Sequence, residues 1–171
     1  MTTRAFIELL DGQGAHASPL GCLEDLSAPS AVQGVPGFPH SIFDLVFHIN
    51  YWMDYDLRRM RGERPPYPKH ASEGWPPPDA AISDDQWRDM INTSRTLLRQ
   101  MAELAKSSPQ DLAREIEPLH PQHTQRASTL GDLLWQTLVH NSYHVGQIAM
   151  LRRMLSLWPP RRRGHVVTQA V

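Results

Sequence analysis

Cysteine is all but missing. Cys22 stands alone, so no internal disulfide can staple the fold, and a reducing compartment suits the chain. Long apolar runs are missing as well. None approaches the roughly 20 residues needed to cross a bilayer, and the short apolar patch near the N-terminus is broken by Glu8 and falls short of a secretory leader. These absences predict a cytoplasmic protein with no membrane partner. Excess charge of one sign is absent too: the formal net charge is −1, which provides no basic face and predicts no nucleic-acid partner. No repeat of about 20–50 residues is visible. What is present, 171 residues with 40% hydrophobic and 20% charged side chains, suits a single domain with a sizeable core. We place that domain at residues 1–160, with 161–171 as a solvated tail.

Proline is absent from three stretches, 41–64, 79–108 and 122–158. An interior proline costs a helix about 3 kcal/mol, so these are where long helices can exist. Each opens on a start signal: Ser41-x-x-Asp44, Ser83-x-x-Gln86 and Thr129-x-x-Asp132. The predicted helices run from 41 to about Arg61, stopped by Gly62; from 83 to near Lys106; and from 129 to about Leu157, stopped by Pro159 and Pro160. Residues 3–11 and 18–27 read as two short helices or one interrupted helix, because Gly12, Gly14, Pro19 and Gly21 disturb them. Pro109 opens a short turn over 109–115. The connection 63–82 carries six prolines; it is either a rigid strap joining parallel helices or a functional loop. No stretch reads as a strand pair. The fold class is all-α, a four-helix bundle with a long crossover connection.

Nine histidines is a high count for this length. His16, His40, His70 and His165 fall in predicted loops or termini and read as solvated. His120 and His123 flank Pro121, which disfavours a preformed pair. His140 and His144 differ: they are one helical turn apart in the middle of the last helix. At ~100° per residue only ~40° separates them around the axis, the spacing with which a helix offers two ligands to one metal. The residue after His140 is Asn141, so the zinc-protease motif is absent, and two half-exposed histidines beside the core are the competing arrangement. Leu133, Gln136, Gln147 and Leu151 share the face, and buried polar groups on such a face need partners. His48 lies mid-helix between Phe47 and Ile49, with Ser41, Asp44, Trp52 and Tyr55 on its side. Asp44 can orient the imidazole or serve only as the cap. His48 by itself can equally be a core histidine bonded to a neighbouring helix. Arg152 and Arg153, at the helix end, suit the helix dipole as solvated cations.

The segment from Leu138 to Arg153, ending in Trp158-Pro159-Pro160, resembles the last helix of the DinB/YfiT-like superfamily. Pro39 to Trp52 resembles that family's second helix with its single ligand histidine. The resemblance extends over nearly the whole chain and is weakest at the two ends. It implies an up-up-down-down-type bundle, a homodimer, and one divalent metal ion (nickel, zinc or iron) held by His48, His140 and His144. A three-ligand site with an open position is the catalytic pattern for zinc. Water at such an ion is acidified toward pKa ~7, and a thiol binds as thiolate. The superfamily includes S-transferases and isomerases using low-molecular-weight thiols, which implies a small-molecule substrate and thiol transfer. Metal-assisted hydrolysis ranks second, since only Asp44 among the acids shares a metal face. A non-enzymatic dimeric metal-binding or stress-related module stands as the third reading. Asp44, Trp52, Tyr55 and Gln147 are the pocket candidates. A di-iron carboxylate bundle is disfavoured because its one E-x-x-H string, Glu117 to His120, contains Pro118.

Overall fold

The computed structural model describes residues 3–78, 80–116 and 128–160. His120, His123, His165 and the proposed 161–171 tail lie outside the described residues. The described helices are α1 (Thr3–Leu10), α2 (Ala28–Ala31), α3 (Ile42–Met60), α4 (Asp84–Leu104), α5 (Pro109–Leu112) and α6 (Leu130–Met154), with a 3-10 turn at Ala71–Gly74. The fold is all-α, as expected, with one correction. Strands β1 (Glu115–Ile116) and β2 (Ser128–Thr129) pair antiparallel, Glu115 against Thr129 and Ile116 against Ser128. A two-residue ladder is too short for any period-2 pattern to reveal.

All three expected capping boxes form. Ser41, Ser83 and Thr129 each accept the backbone N–H three residues on, while Asp44, Gln86 and Asp132 reach back to the cap's own N–H. Each pair satisfies two of the backbone donors that a helix start leaves orphaned. Gly62 ends α3 at φ +88°, a left-handed backbone that favours glycine. At the N-terminus only 3–10 is regular helix; 18–27 is a series of turns. Gly12 sits at φ +85°, where a Cβ would meet the Ala17 carbonyl oxygen at 2.6 Å, so the chain folds back on itself there. The last helix ends at Met154, three residues before the expected Leu157, because Ser156 turns left-handed at φ 58° and Leu157 N–H returns to the Arg152 carbonyl.

The helix directions follow from their cross-links. His48 of α3 meets His144 of α6, and further along α3 Asp56 accepts from Thr137 Oγ1 at 3.0 Å, so α3 and α6 run antiparallel. The start of α4 is tied to residues 26 and 28, by Trp87 Nε1 donating to the Leu26 carbonyl at 2.9 Å and Ala28 N–H to Asp84. That segment also holds the end of α6 through Asp25 and Arg152. Consequently α4 opposes α6 and lies parallel to α3. The strap reading of 63–82 is correct, since parallel helices need a crossover the length of the bundle.

Arg152 corrects a second expectation. It is not a solvated end charge but 1% exposed. Its guanidinium spans both Asp25 carboxylate oxygens at 2.7 and 3.0 Å and also donates to the Cys22 and Leu157 carbonyls. The planar five-donor fork makes this burial feasible. The core around these ties is aliphatic, with Ile42, Val46, Met53, Leu57, Met101, Leu133, Ile148 and Leu151 among its fully enclosed side chains. Among the described residues, no helix is long and apolar enough to cross a membrane.

Candidate metal centre

His48, His140 and His144 come together between α3 and α6, each offering one nitrogen, all within 4.8 Å of one another. Two positions one helical turn apart on α6 and a single position on the antiparallel α3 suffice to build the cluster. His48 is 9% exposed and His144 7%; His140 is half-buried. The α6 face differs from the expected one: Gln136 is exposed and the buried stripe runs through Leu133, Thr137, Asn141, Val145 and Ile148. The histidine pair therefore lies along the edge of that stripe, where the site can meet solvent.

Two of the three imidazoles are fastened through their outward-facing nitrogens. His48 Nδ1 lies 2.9 Å from the Gly74 carbonyl oxygen, an acceptor only, so Nδ1 carries the proton and Nε2 keeps its lone pair. His144 Nδ1 lies 2.6 Å from Gln147 Oε1, and Gln147 Nε2 donates in turn to Tyr143 OH at 3.2 Å. His140 Nε2 faces His144 Nε2 at 3.1 Å. Nitrogens held about 2.0–2.1 Å from one ion lie about 3.0–3.4 Å apart, so this pair is at ligating separation. The oriented tautomers of His48 and His144, the borderline imidazole donors and the spacing fit a first-row divalent ion.

Burial first, then the neighbouring His144 and His48, push His140 down to about 4. His48 is also lowered, chiefly by burial against the opposing Gly74 hydrogen bond, and His144 by burial against Gln147. All three imidazoles are neutral near pH 7, the form that binds a metal.

The other candidates divide. Gln147 does touch the cluster, as the acceptor that orients His144. Asp44 does not orient His48; its Oδ2 is committed to Ser41 N–H at 2.7 Å, and the crossover's Gly74 supplies the acceptor instead. Trp52 sits edge-on to His48 at 6.3 Å between ring centres, and Tyr55 packs on Trp52 at 5.4 Å. Tyr55 is buried, and its hydroxyl donates to the Pro65 carbonyl at 3.4 Å. Three residues escaped the sequence analysis: Gly74, the acceptor on His48, and two aromatic rings beside it. Trp75 stacks flat on His48 at 3.9 Å, and His40, expected to be solvated, stacks on the far side of Trp75 at 3.7 Å. The strap thus contributes both a wall and a hydrogen-bond acceptor. A Cβ at Gly74 would approach Trp52 Nε1 at 3.2 Å, so the smallest residue suits the position. No periodicity marks a loop residue; only the unusual length of the strap pointed there.

A helical bundle with antiparallel helices presenting one and two histidines to a common point defines a metalloprotein-like architecture. The chain belongs to the DinB superfamily, whose family model matches residues 1–148, a span that includes all three histidines. No curated protein and no solved structure matches the chain.

Proposed function

We propose that the protein binds one divalent metal ion through His48, His140 and His144 and uses it on a small-molecule substrate, with thiol S-transfer as the reaction. The observation that carries this is the fastening of His48 and His144 by Gly74 and Gln147, which leaves their Nε2 atoms for a shared ligand. A divalent ion so held supplies Lewis acidity and favours the thiolate form of a bound thiol. The chain's own residues do the rest. Trp75 and Trp52 wall the cluster on the strap side, limiting water. Gly74 and Gln147 keep two of the imidazoles from turning. A low-molecular-weight thiol fits this arrangement better than hydrolysis, because hydrolysis wants a general base and Asp44 is committed to its cap. The resemblance also implies a homodimer, which is part of this proposal, and zinc, nickel and iron all suit a site of imidazoles.

Protein purified without a nickel column should carry about one metal per chain, and His144→Ala should remove it. Metal retained by His144→Ala would overturn the site. Thiol-dependent turnover of a model electrophile, lost in the same variant, supports the transferase reading. Ester or amide hydrolysis without thiol would replace it with the hydrolase, and neither activity would leave a metal-binding module.

A further inference from the structure

His140 Nε2 and His144 Nε2 lie 3.1 Å apart. Two ring nitrogens can sit that close in two ways. Either both lone pairs point at one cation, or one nitrogen carries a proton and donates it to the other. Two facing lone pairs with nothing between them repel and would drive the rings apart. When no ion is bound, one of the two rings must therefore carry its proton on Nε2.

The surroundings decide which ring that is. All three imidazoles are neutral near pH 7, and a neutral imidazole has one N–H. His144 commits its own to Gln147. Its Nδ1 lies 2.6 Å from Gln147 Oε1, while Gln147 Nε2 donates to Tyr143 OH at 3.2 Å. His144 Nε2 is then an acceptor. His48 is fixed in the same way, with Nδ1 at 2.9 Å from the Gly74 carbonyl oxygen, so its Nε2 is an acceptor too. His140 has no such anchor, and the amide of the neighbouring Asn141 makes no hydrogen bond to it. Its ring is half-buried, and Val139 and Tyr143 beside it are exposed, so water can exchange protons with it.

We propose that His140 is the switching ligand of the cluster: with no ion bound it donates Nε2–H to His144, and it ligates only after its proton has moved to Nδ1. The proposal rests on the metal reading above and adds an order to it. His48 and His144 present lone pairs from the start, and His140 joins last. The switch leaves the charge of the ring unchanged. The Nε2–H bond breaks with its electron pair left on nitrogen, the proton passes to water, and water supplies a proton to Nδ1. Nothing is oxidised or reduced. Only the fraction of molecules with the Nδ1–H form of His140 can bind an ion fully, and giving up one ordinary hydrogen bond lowers the apparent affinity roughly 5-fold.

The test is ¹⁵N NMR of the full chain with labelled imidazoles, first stripped by chelator and then loaded with zinc. Each ring is assigned by its loss in a single-site variant, and the ¹⁵N shift separates a protonated ring nitrogen from a bare one. In the stripped protein His140 should be the Nε2–H ring, with His48 and His144 both Nδ1–H. Zinc should convert His140 to Nδ1–H and leave the tautomers of the other two as they were. As a second measurement, His144→Phe removes the acceptor, with circular dichroism checking that the helices persist. His140 in that stripped variant should become a mixture of both tautomers. His140 already Nδ1–H in stripped wild type, His144 as the Nε2–H ring in its place, or an unchanged His140 in His144→Phe would each overturn the proposal and leave the metal reading standing. Zinc that perturbs none of the three rings would overturn the metal reading, and the switch with it.

Discussion

Gln147 offers the sharpest perturbation of the site, because it binds no metal itself. Its Oε1 holds His144 Nδ1 at 2.6 Å while His144 is 7% exposed. In Gln147→Leu that N–H loses its acceptor where little water can replace it. A net hydrogen bond is worth about 1 kcal/mol, and an unsatisfied buried donor costs about 1–3 kcal/mol. Part of this penalty falls on the metal-free protein and part on the bound one, which needs the Nδ1–H tautomer. Loss of a group that orients a ligand histidine typically costs 10–100-fold in metal affinity, about 1.4–2.7 kcal/mol, and Gln147→Leu should fall in that range. Gln147→Glu should hold or tighten binding, since a carboxylate is a stronger acceptor for the same N–H. The assay is chelator competition at fixed pH and salt, with circular dichroism as the folding control. Wild-type affinity in Gln147→Leu, or an equal loss in both variants, would refute the argument that His144 is oriented through Nδ1.

Asp25→Ala should cost about 3–5 kcal/mol in urea unfolding, because it leaves the buried Arg152 guanidinium without its counter-charge; a cost under about 1 kcal/mol would show that water reaches Arg152. Acidification should destabilise the metal-stripped protein. With His140 near 4 when folded and about 6.5 when unfolded, the unfolded chain binds the proton first. Stability is therefore complete above about pH 6.5 and is lost as pH falls toward 4. His140→Gln should flatten the urea-midpoint profile across that window, and an unchanged slope would remove His140 as the cause.

Local chemistry was legible from the residues. Ser41, Ser83 and Thr129 announced their helices because capping acts within four residues of chain, and the spacing of His140 and His144 requires only the pitch of one helix. Long-range partnerships were not legible. Arg152 looks like any cation at a helix end until the turns at 18–27 bring Asp25 and the Cys22 carbonyl against it. Asp44 carried two plausible roles in the sequence, and the capping geometry took it. The partner of His48 proved to be a backbone carbonyl, which every residue possesses and no sequence pattern can flag.

The sequence by itself determined which segments are helices, where they start, and that one turn of α6 can present two imidazoles together. It also connected His48 to that pair, through likeness to a family rather than through any spacing. Only the tertiary structure decided that the strap closes over the site, with Gly74 turning His48 and Trp75 stacked between His48 and His40. The physical reason is range: hydrogen bonds within a helix are set by neighbours in the chain, whereas a parallel pair of helices forces its connection across the bundle, and what that connection touches depends on the packing of all the helices at once.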